Sequence, residues 1–158
     1  MAADDRPEAV ILCGVQGAGK TTFYVARFLE THVRISQDLL RTPHRIRRLV
    51  DLCLETRQPF VVDRVNATPE DRRRFTEPAR DAGFRLVGYW IDAPAATAVA
   101  RNAARSAARR VPETAIRGTA RRLVPPGPAE GFEAVFRAVA DGGHDFTVTP
   151  VFRRARGS

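Results

Sequence analysis

The sequence predicts an α/β fold in which a parallel five-stranded sheet carries helices on both faces. Three observations predict it. Short apolar runs alternate with helix-period segments along the 158 residues, as βαβ units do. The first run, Val10-Ile11-Leu12-Cys13, enters a glycine-rich loop that opens into a helix-period segment. No repeat and no long linker divides the chain, so one domain over 1–158 is expected, with flexible ends at 1–8 and 153–158.

The elements follow in order. Val10–Cys13 reads as a buried strand, and Thr21–Glu30 as the helix after the loop. Val33–Ser36 is the second strand. Pro43–Arg57 is a helix, because Ile46, Leu49, Val50, Cys53 and Leu54 share one face. Phe60–Asp63 is the third strand. The next helix has Thr68 as N-cap, Pro69 at its first position and Asp71 three residues after the cap, and it ends at Gly83. Phe84–Ile91 is the fourth strand. An Ala- and Arg-rich helix is expected over Ala95–Ala108, and another over Pro112–Leu123. Pro125-Pro126-Gly127-Pro128 forces a turn. Phe132–Val139 is the fifth strand, and Asp145–Thr149 reads as a short edge strand.

The loop Gly14-Val15-Gln16-Gly17-Ala18-Gly19-Lys20-Thr21 matches G-x-x-x-x-G-K-[ST] in full, the Walker A pattern of a P-loop. Lys20 is the only lysine among 26 basic residues. Every other basic site is arginine, yet this one is lysine, because a compact ammonium fits the narrow loop where a planar guanidinium does not. Backbone N–H groups of Gly14, Gln16, Gly17, Ala18, Gly19, Lys20, Thr21 and Thr22 are the expected cradle for nucleotide phosphates. The Thr21 hydroxyl is the expected Mg²⁺ ligand.

Composition bounds the rest. Hydrophobic residues make up 44% and charged residues 28%, as in soluble globular chains. No apolar run nears the ~20 residues of a membrane span. The first eight residues are polar and acidic, unlike a signal peptide. Cys13 and Cys53 fall at core positions and read as small hydrophobes, so a cytoplasmic location is expected. His32, His44 and His144 lack metal-ligand spacing. The net charge is +8, and it is concentrated. Residues 41–48 carry +4 and residues 101–122 carry +6, which leaves the remainder acidic. Clustered positive charge suits a polyanion; the alternative is a pair of solvated helix faces.

Further candidates flank the loop. Asp63 ends an apolar strand, where such folds place a carboxylate on the metal or its water. Asp38 lies just past the second strand, at the sheet end where α/β proteins bind ligands. It is either a base for a substrate hydroxyl or a helix cap, and Arg41, three residues on, either holds an anion or is solvated. Arg101, Arg105 and Arg109 recur every four residues, so they share one face of the expected helix. No acid sits at the matching spacings. That suits a lid that gives arginines to a transferring phosphoryl group.

With these pieces in place, the chain resembles the P-loop kinase domain of the polynucleotide 5′-hydroxyl kinase family, in particular its small stand-alone bacterial members. The resemblance runs from about residue 9 to 149. It rests on Gly14–Thr22, on Ile35-Ser36-Gln37-Asp38-Leu39-Leu40-Arg41, on Val61-Val62-Asp63-Arg64-Val65-Asn66, and on Arg101-Asn102 through Arg105 to Val111-Pro112. Glu130-Gly131-Phe132 is similar to the family's entry to its last strand. The resemblance implies the sheet order 2-3-1-4-5, ATP or another NTP with Mg²⁺ as cofactors, and a nucleic acid 5′-OH end as acceptor. Asp38 is then the general base and Arg41 the contact to the acceptor's adjacent phosphate. Arg101 and Arg105 bind nucleotide phosphates, Arg105 with a catalytic share beside Lys20. Asp63 and Asn66 face the substrate, and Thr21 and Asp63 the metal. The chain departs from the family at Asp63-Arg64-Val65-Asn66, where the usual pattern is Asp-Asn-Thr-Asn. Two rivals remain: a P-loop kinase for a sugar, nucleoside, sugar nucleotide or antibiotic, and a nucleotide-dependent switch or adaptor that is not a kinase. Asp38 argues against the switch, which needs no base. No membrane contact is expected, and the sequence identifies no stable protein partner.

Overall fold

β1 (Glu8–Cys13) runs through the centre of the sheet, and every residue from Ala9 to Cys13 is fully buried. Its alternate side chains feed two cores, because successive residues of a strand face opposite sides. Val10 and Leu12 pack against α1 (Lys20–Phe28) and the later helices α5 (Ala95–Ala103) and α6 (Glu113–Arg122). Ala9 and Ile11 pack on the other face, against α3 (Pro43–Thr56) and α4 (Pro69–Asp81). A computed structural model describes residues 4–155.

The sheet holds six strands in the order β2-β3-β1-β4-β5-β6. β2 (Val33–Ser36), β3 (Phe60–Asp63), β1, β4 (Arg85–Ile91) and β5 (Ala134–Ala140) are parallel. Their order is the expected 2-3-1-4-5. The five-stranded expectation is corrected at one edge. β6 (Phe146–Arg153) pairs antiparallel with the whole of β5, over more residues than the short edge strand read at 145–149. Thr147, Thr149 and Arg153 stand at exposed positions and Pro150 interrupts the run, so the strand signal there is weak. Near the chain's ends the described residues make contacts to the sheet. Arg6 bridges Asp4 and Glu133, and the Arg154 N–H donates to the Glu133 carbonyl. Residues 1–3 and 156–158, the remainder of those ends, lie outside the described residues.

Local chemistry sets the helix starts. Thr68 accepts from the Asp71 N–H while Asp71 accepts from the Thr68 N–H, a complete capping box. Thr42 caps α3 ahead of Pro43. Ser36 caps a single extra turn, α2 (Gln37–Leu40). The Ala95–Ala108 expectation is too long, because α5 stops at Ala103. Asn102 accounts for the stop. Its side chain donates to the Val111 carbonyl (2.6 Å) and accepts from the Val111 N–H (2.9 Å), folding residues 103–110 into a closed loop. A longer helix would also stack Arg101, Arg105 and Arg109 without relief of their repulsion.

One charged pair lies within the core. Arg72 is fully buried on α4 and forks onto Glu130 at 2.7 and 2.9 Å. Its remaining nitrogen donates to the carbonyls of Asn66 (2.7 Å) and Val124 (2.8 Å) and to Cys13 Sγ (3.6 Å). Both cysteines are free and buried, and burial pushes each thiol up to about 11, so neither is a ready nucleophile. Arg72→Ala leaves Glu130 enclosed without its cation, and a loss of about 3–5 kcal/mol is expected in urea unfolding. Arg72→Met with Glu130→Leu, which removes both charges, should recover part of it; no recovery would show that the arm's packing matters more than the charge pair.

Candidate nucleotide and phosphoryl-transfer site

The P-loop needs glycine at two left-handed positions, Gly17 (φ 81) and Gly19 (φ 104). At Gly17 space demands it too, since a Cβ would stand 2.6 Å from the Ala98 carbonyl oxygen of α5. The lid helix therefore rests directly on the loop. Arg101 reinforces that contact by donating to the Ala18 carbonyl at 2.9 Å. Gly14 and Ala18 are buried behind the loop, and the Gly14 N–H donates to the Val65 carbonyl at 3.0 Å. Asn66 ties the same two segments, its amide donating to the Leu12 carbonyl at 2.8 Å. Asn66 has φ 46, a conformation asparagine tolerates better than most residues.

A cleft of about 530 Å³ opens at the carboxyl ends of the parallel strands. Of the expected site residues, it is lined by Gln16, Gly17, Gly19, Lys20, Thr21, Thr22, Asp38, Asp63, Asn66, Arg101 and Arg105. Gly14, Ala18 and Arg41 do not line it. Arg41 is exposed at the C-cap of α2, with φ 67. Arg105 and Arg109 reach the cleft from the closed loop after α5, not from one helix face with Arg101 as the spacing suggested. The 101–122 segment thus contributes Arg101, Arg105, Arg109 and Arg122 to the cleft, while Arg45, Arg47 and Arg48 of the 41–48 segment face solvent.

Lys20 is half-buried, and its ammonium donates to the loop's own Gly14 and Val15 carbonyls, each at 2.9 Å. Burial pushes its pKa down to about 8; Asp63 opposes that shift and Arg105 adds to it. Thr21 Oγ1 donates to Asp63 Oδ2 at 3.0 Å. These two hard oxygens fit Mg²⁺, which takes few protein ligands and completes its shell with water and substrate phosphates. Among the described residues no group of three or more His, Cys, Asp or Glu could hold a metal without such help.

Sequence reasoning missed Arg34. Its Nε donates to Asp63 Oδ2 at 2.9 Å and its Nη2 to Thr21 Oγ1 at 3.1 Å. A metal here has to share Asp63 with this guanidinium or displace it. Strand register held the clue, because Ser36 pairs with Asp63 and puts Arg34 on the neighbouring strand. Arg64, Arg122 and Asp71 also line the cleft and were not assigned to it. Asp38 makes no side-chain hydrogen bond among the described residues, and the cap of α2 is Ser36. Of the two readings of Asp38, the cap is therefore ruled out.

A phosphate loop at the carboxyl end of a parallel sheet, under an arginine-bearing lid, defines a P-loop kinase-like nucleotide-binding fold. Residues 10–126 match an AAA domain family of this P-loop kinase-like kind, and the chain belongs to it. Solved structures agree in fold. A gluconokinase from Sinorhizobium meliloti 1021 is 18% identical, with TM-score 0.60 over 89% of this chain and 87% of that one. Chaetomium thermophilum Kti12, solved in complex with ADP-AlF3, is 15% identical, with TM-score 0.64 over 85% and 90%. The Mycobacterium tuberculosis APS kinase CysC, in complex with AMPPNP and APS, is 18% identical, with TM-score 0.61 over 90% and 93%. No curated protein matches the sequence. No described helix is long and apolar enough to cross a membrane.

The depressed Lys20 pKa predicts a proton-linked affinity. At about pH 9 the free amine is mostly neutral, whereas a polyphosphate favours the ammonium. AMPPNP binding should then take up close to one proton, and affinity should fall as pH rises from about 8 towards 10. Calorimetry in two buffers of different ionisation enthalpy reads that uptake. It should vanish in Lys20→Met; if it persists, another group carries the proton.

Proposed function

We propose that this chain is an ATP-dependent, Mg²⁺-dependent kinase that phosphorylates the 5′-OH of RNA or DNA. The observation that carries the reading is Asp38: an exposed carboxylate with no structural bond, on the same cleft as Lys20 and the lid arginines. Its carboxylate takes the proton of the acceptor hydroxyl as that oxygen bonds to the γ-phosphorus and the bond to ADP breaks. Lys20 and Arg105 face the phosphates and stabilise the charge that spreads over the transferring group. Arg101 holds the lid on the loop. Thr21 and Asp63 would hold Mg²⁺, which would supply further charge neutralisation of the phosphates. The four arginines of the 101–122 segment on the cleft suit a polyanionic acceptor.

A second reading has a specific basis. Gluconokinase and APS kinase share the fold, and a small-molecule acceptor needs the same loop, base and lid. Labelled ATP and Mg²⁺ with a panel of 5′-OH oligonucleotides, nucleosides and sugars separates the two, by which acceptor gains label.

Asp38→Asn should lower single-turnover phosphoryl transfer by about 10²–10⁴-fold, the usual contribution of a general base. Nucleotide affinity should change little, because Asp38 touches the acceptor and not the donor. Unchanged turnover in the variant would refute its role as the base.

A further inference from the structure

The cleft wall beyond the phosphate loop carries a cation with no hydrogen-bond or ion-pair partner among the described residues. Arg64 is half-buried over the Phe75 ring, with 5.4 Å from guanidinium carbon to ring centroid. Its guanidinium makes no hydrogen bond and no ion pair among the described residues; only its backbone carbonyl is engaged, by Asn66. Burial lowers its pKa, Arg74 acts in the same direction, and Asp71 opposes them. A guanidinium presents five N–H donors, and enclosing them without acceptors is costly. Arg122 shares the wall, and its nearest carboxylate is Asp71 at 4.0 Å. Asp71 already accepts from the Thr68 N–H in the capping box. Two guanidinium groups therefore depend on one committed carboxylate.

Asn66 anchors the segment that presents Arg64. Its amide nitrogen faces two carbonyls, Leu12 at 2.8 Å and Arg64 at 3.4 Å, so the orientation of the carboxamide is set by its partners. The Arg64 guanidinium is thus held at the cleft without a hydrogen-bond acceptor of its own among the described residues. The group that answers a planar cationic fork is an oxyanion such as a phosphate ester.

We propose that Arg64, with Arg122, is the anion subsite for the acceptor, so that the substrate carries a phosphate near the hydroxyl it presents to Asp38. The contact that the resemblance assigns to Arg41 then belongs to Arg64, at the position where this chain departs from the family pattern. Arg41 is exposed and off the cleft, whereas Arg64 lines it between Asp63 and Asn66. This inference rests on the phosphotransferase reading of the cleft, not on the acceptor being nucleic acid.

The test is calorimetric binding to the AMPPNP-saturated protein, with a nucleoside 3′-monophosphate and the same nucleoside without phosphate. The wild type should prefer the phosphorylated probe by about 10-fold or more, the scale of a charge-assisted contact. Arg64→Gln should erase that preference without loss of melting temperature, Arg64→Lys should restore part of it, and Arg122→Gln should reduce it. No preference in the wild type, a preference that survives Arg64→Gln, or one lost in Arg41→Gln instead would overturn the proposal. If Arg64→Gln fails to fold, the Lys and Arg122 variants decide by the same criterion. Oligonucleotide phosphorylation assayed in parallel separates the two claims. An Arg64-dependent preference without transfer to 5′-OH oligonucleotides refutes the nucleic-acid acceptor and supports the subsite. Transfer that proceeds with unchanged KM in Arg64→Gln refutes the subsite and supports the acceptor.

Discussion

Arg72 brings a full charge into the core directly behind the phosphate loop, and four segments close on it. Glu130 comes from the short turn before β5, Val124 from the end of α6, Asn66 from the loop after β3, and Cys13 from the last residue of β1. A buried guanidinium is tolerable only when its donors are satisfied and its charge is paired. Its neighbours are therefore held in register with one another. Asn66, placed by this bond, in turn holds the end of β1 through the Leu12 carbonyl. The P-loop leaves the sheet one residue past Cys13. Its take-off point is set by a polar network whose members are far apart in sequence.

Above that base the cleft is a concentration of positive charge. Its lining includes Lys20 and five arginines but only three carboxylates, Asp38, Asp63 and Asp71. Asp63 is engaged by Thr21 and Arg34, and Asp71 by a helix cap. Asp38 alone is unengaged, and the arginines around it have few local partners. Such an arrangement stores unfavourable electrostatic energy that an anion relieves on binding. The lid tolerates its own share through a backbone device. The Asn102 side chain pairs with Val111, so the arginines approach the cleft from a pinched loop and not as one charged ridge.

Signals with a short range were legible in the chain. The apolar runs, the glycine loop, Thr68 with Asp71 and the caps all act within a few residues, and the parallel sheet follows from their alternation, whereas the strand order came with the resemblance. What failed to show was of two kinds. Helix periodicity runs on through Arg105 and Arg109, but the chain stops at Ala103 because a single side chain captures a backbone nine residues away. The sixth strand carries Thr147, Thr149, Pro150 and Arg153 at exposed positions and is recruited by pairing with β5. The second kind is long-range polar partnership. Arg34 with Asp63, and Arg72 with Glu130, are ordinary arginines in an arginine-rich sequence until the fold brings their carboxylates to them. The same fold separates Arg41 from the cleft and delivers Arg64 to it.

The solitary lysine has a chemical corollary. Apart from the chain's own amino terminus, Lys20 is the only aliphatic amine in the molecule. Its pKa near 8 gives it a larger neutral, nucleophilic fraction at physiological pH than an ordinary lysine has. Acylating reagents and lysine acetylation would thus find a single side-chain target, at the floor of the phosphate loop. Elsewhere the arginine-rich surface keeps its charge under the same chemistry. Amine modification of this protein is expected to act as an on–off mark on the phosphate site and not as a diffuse change of surface charge.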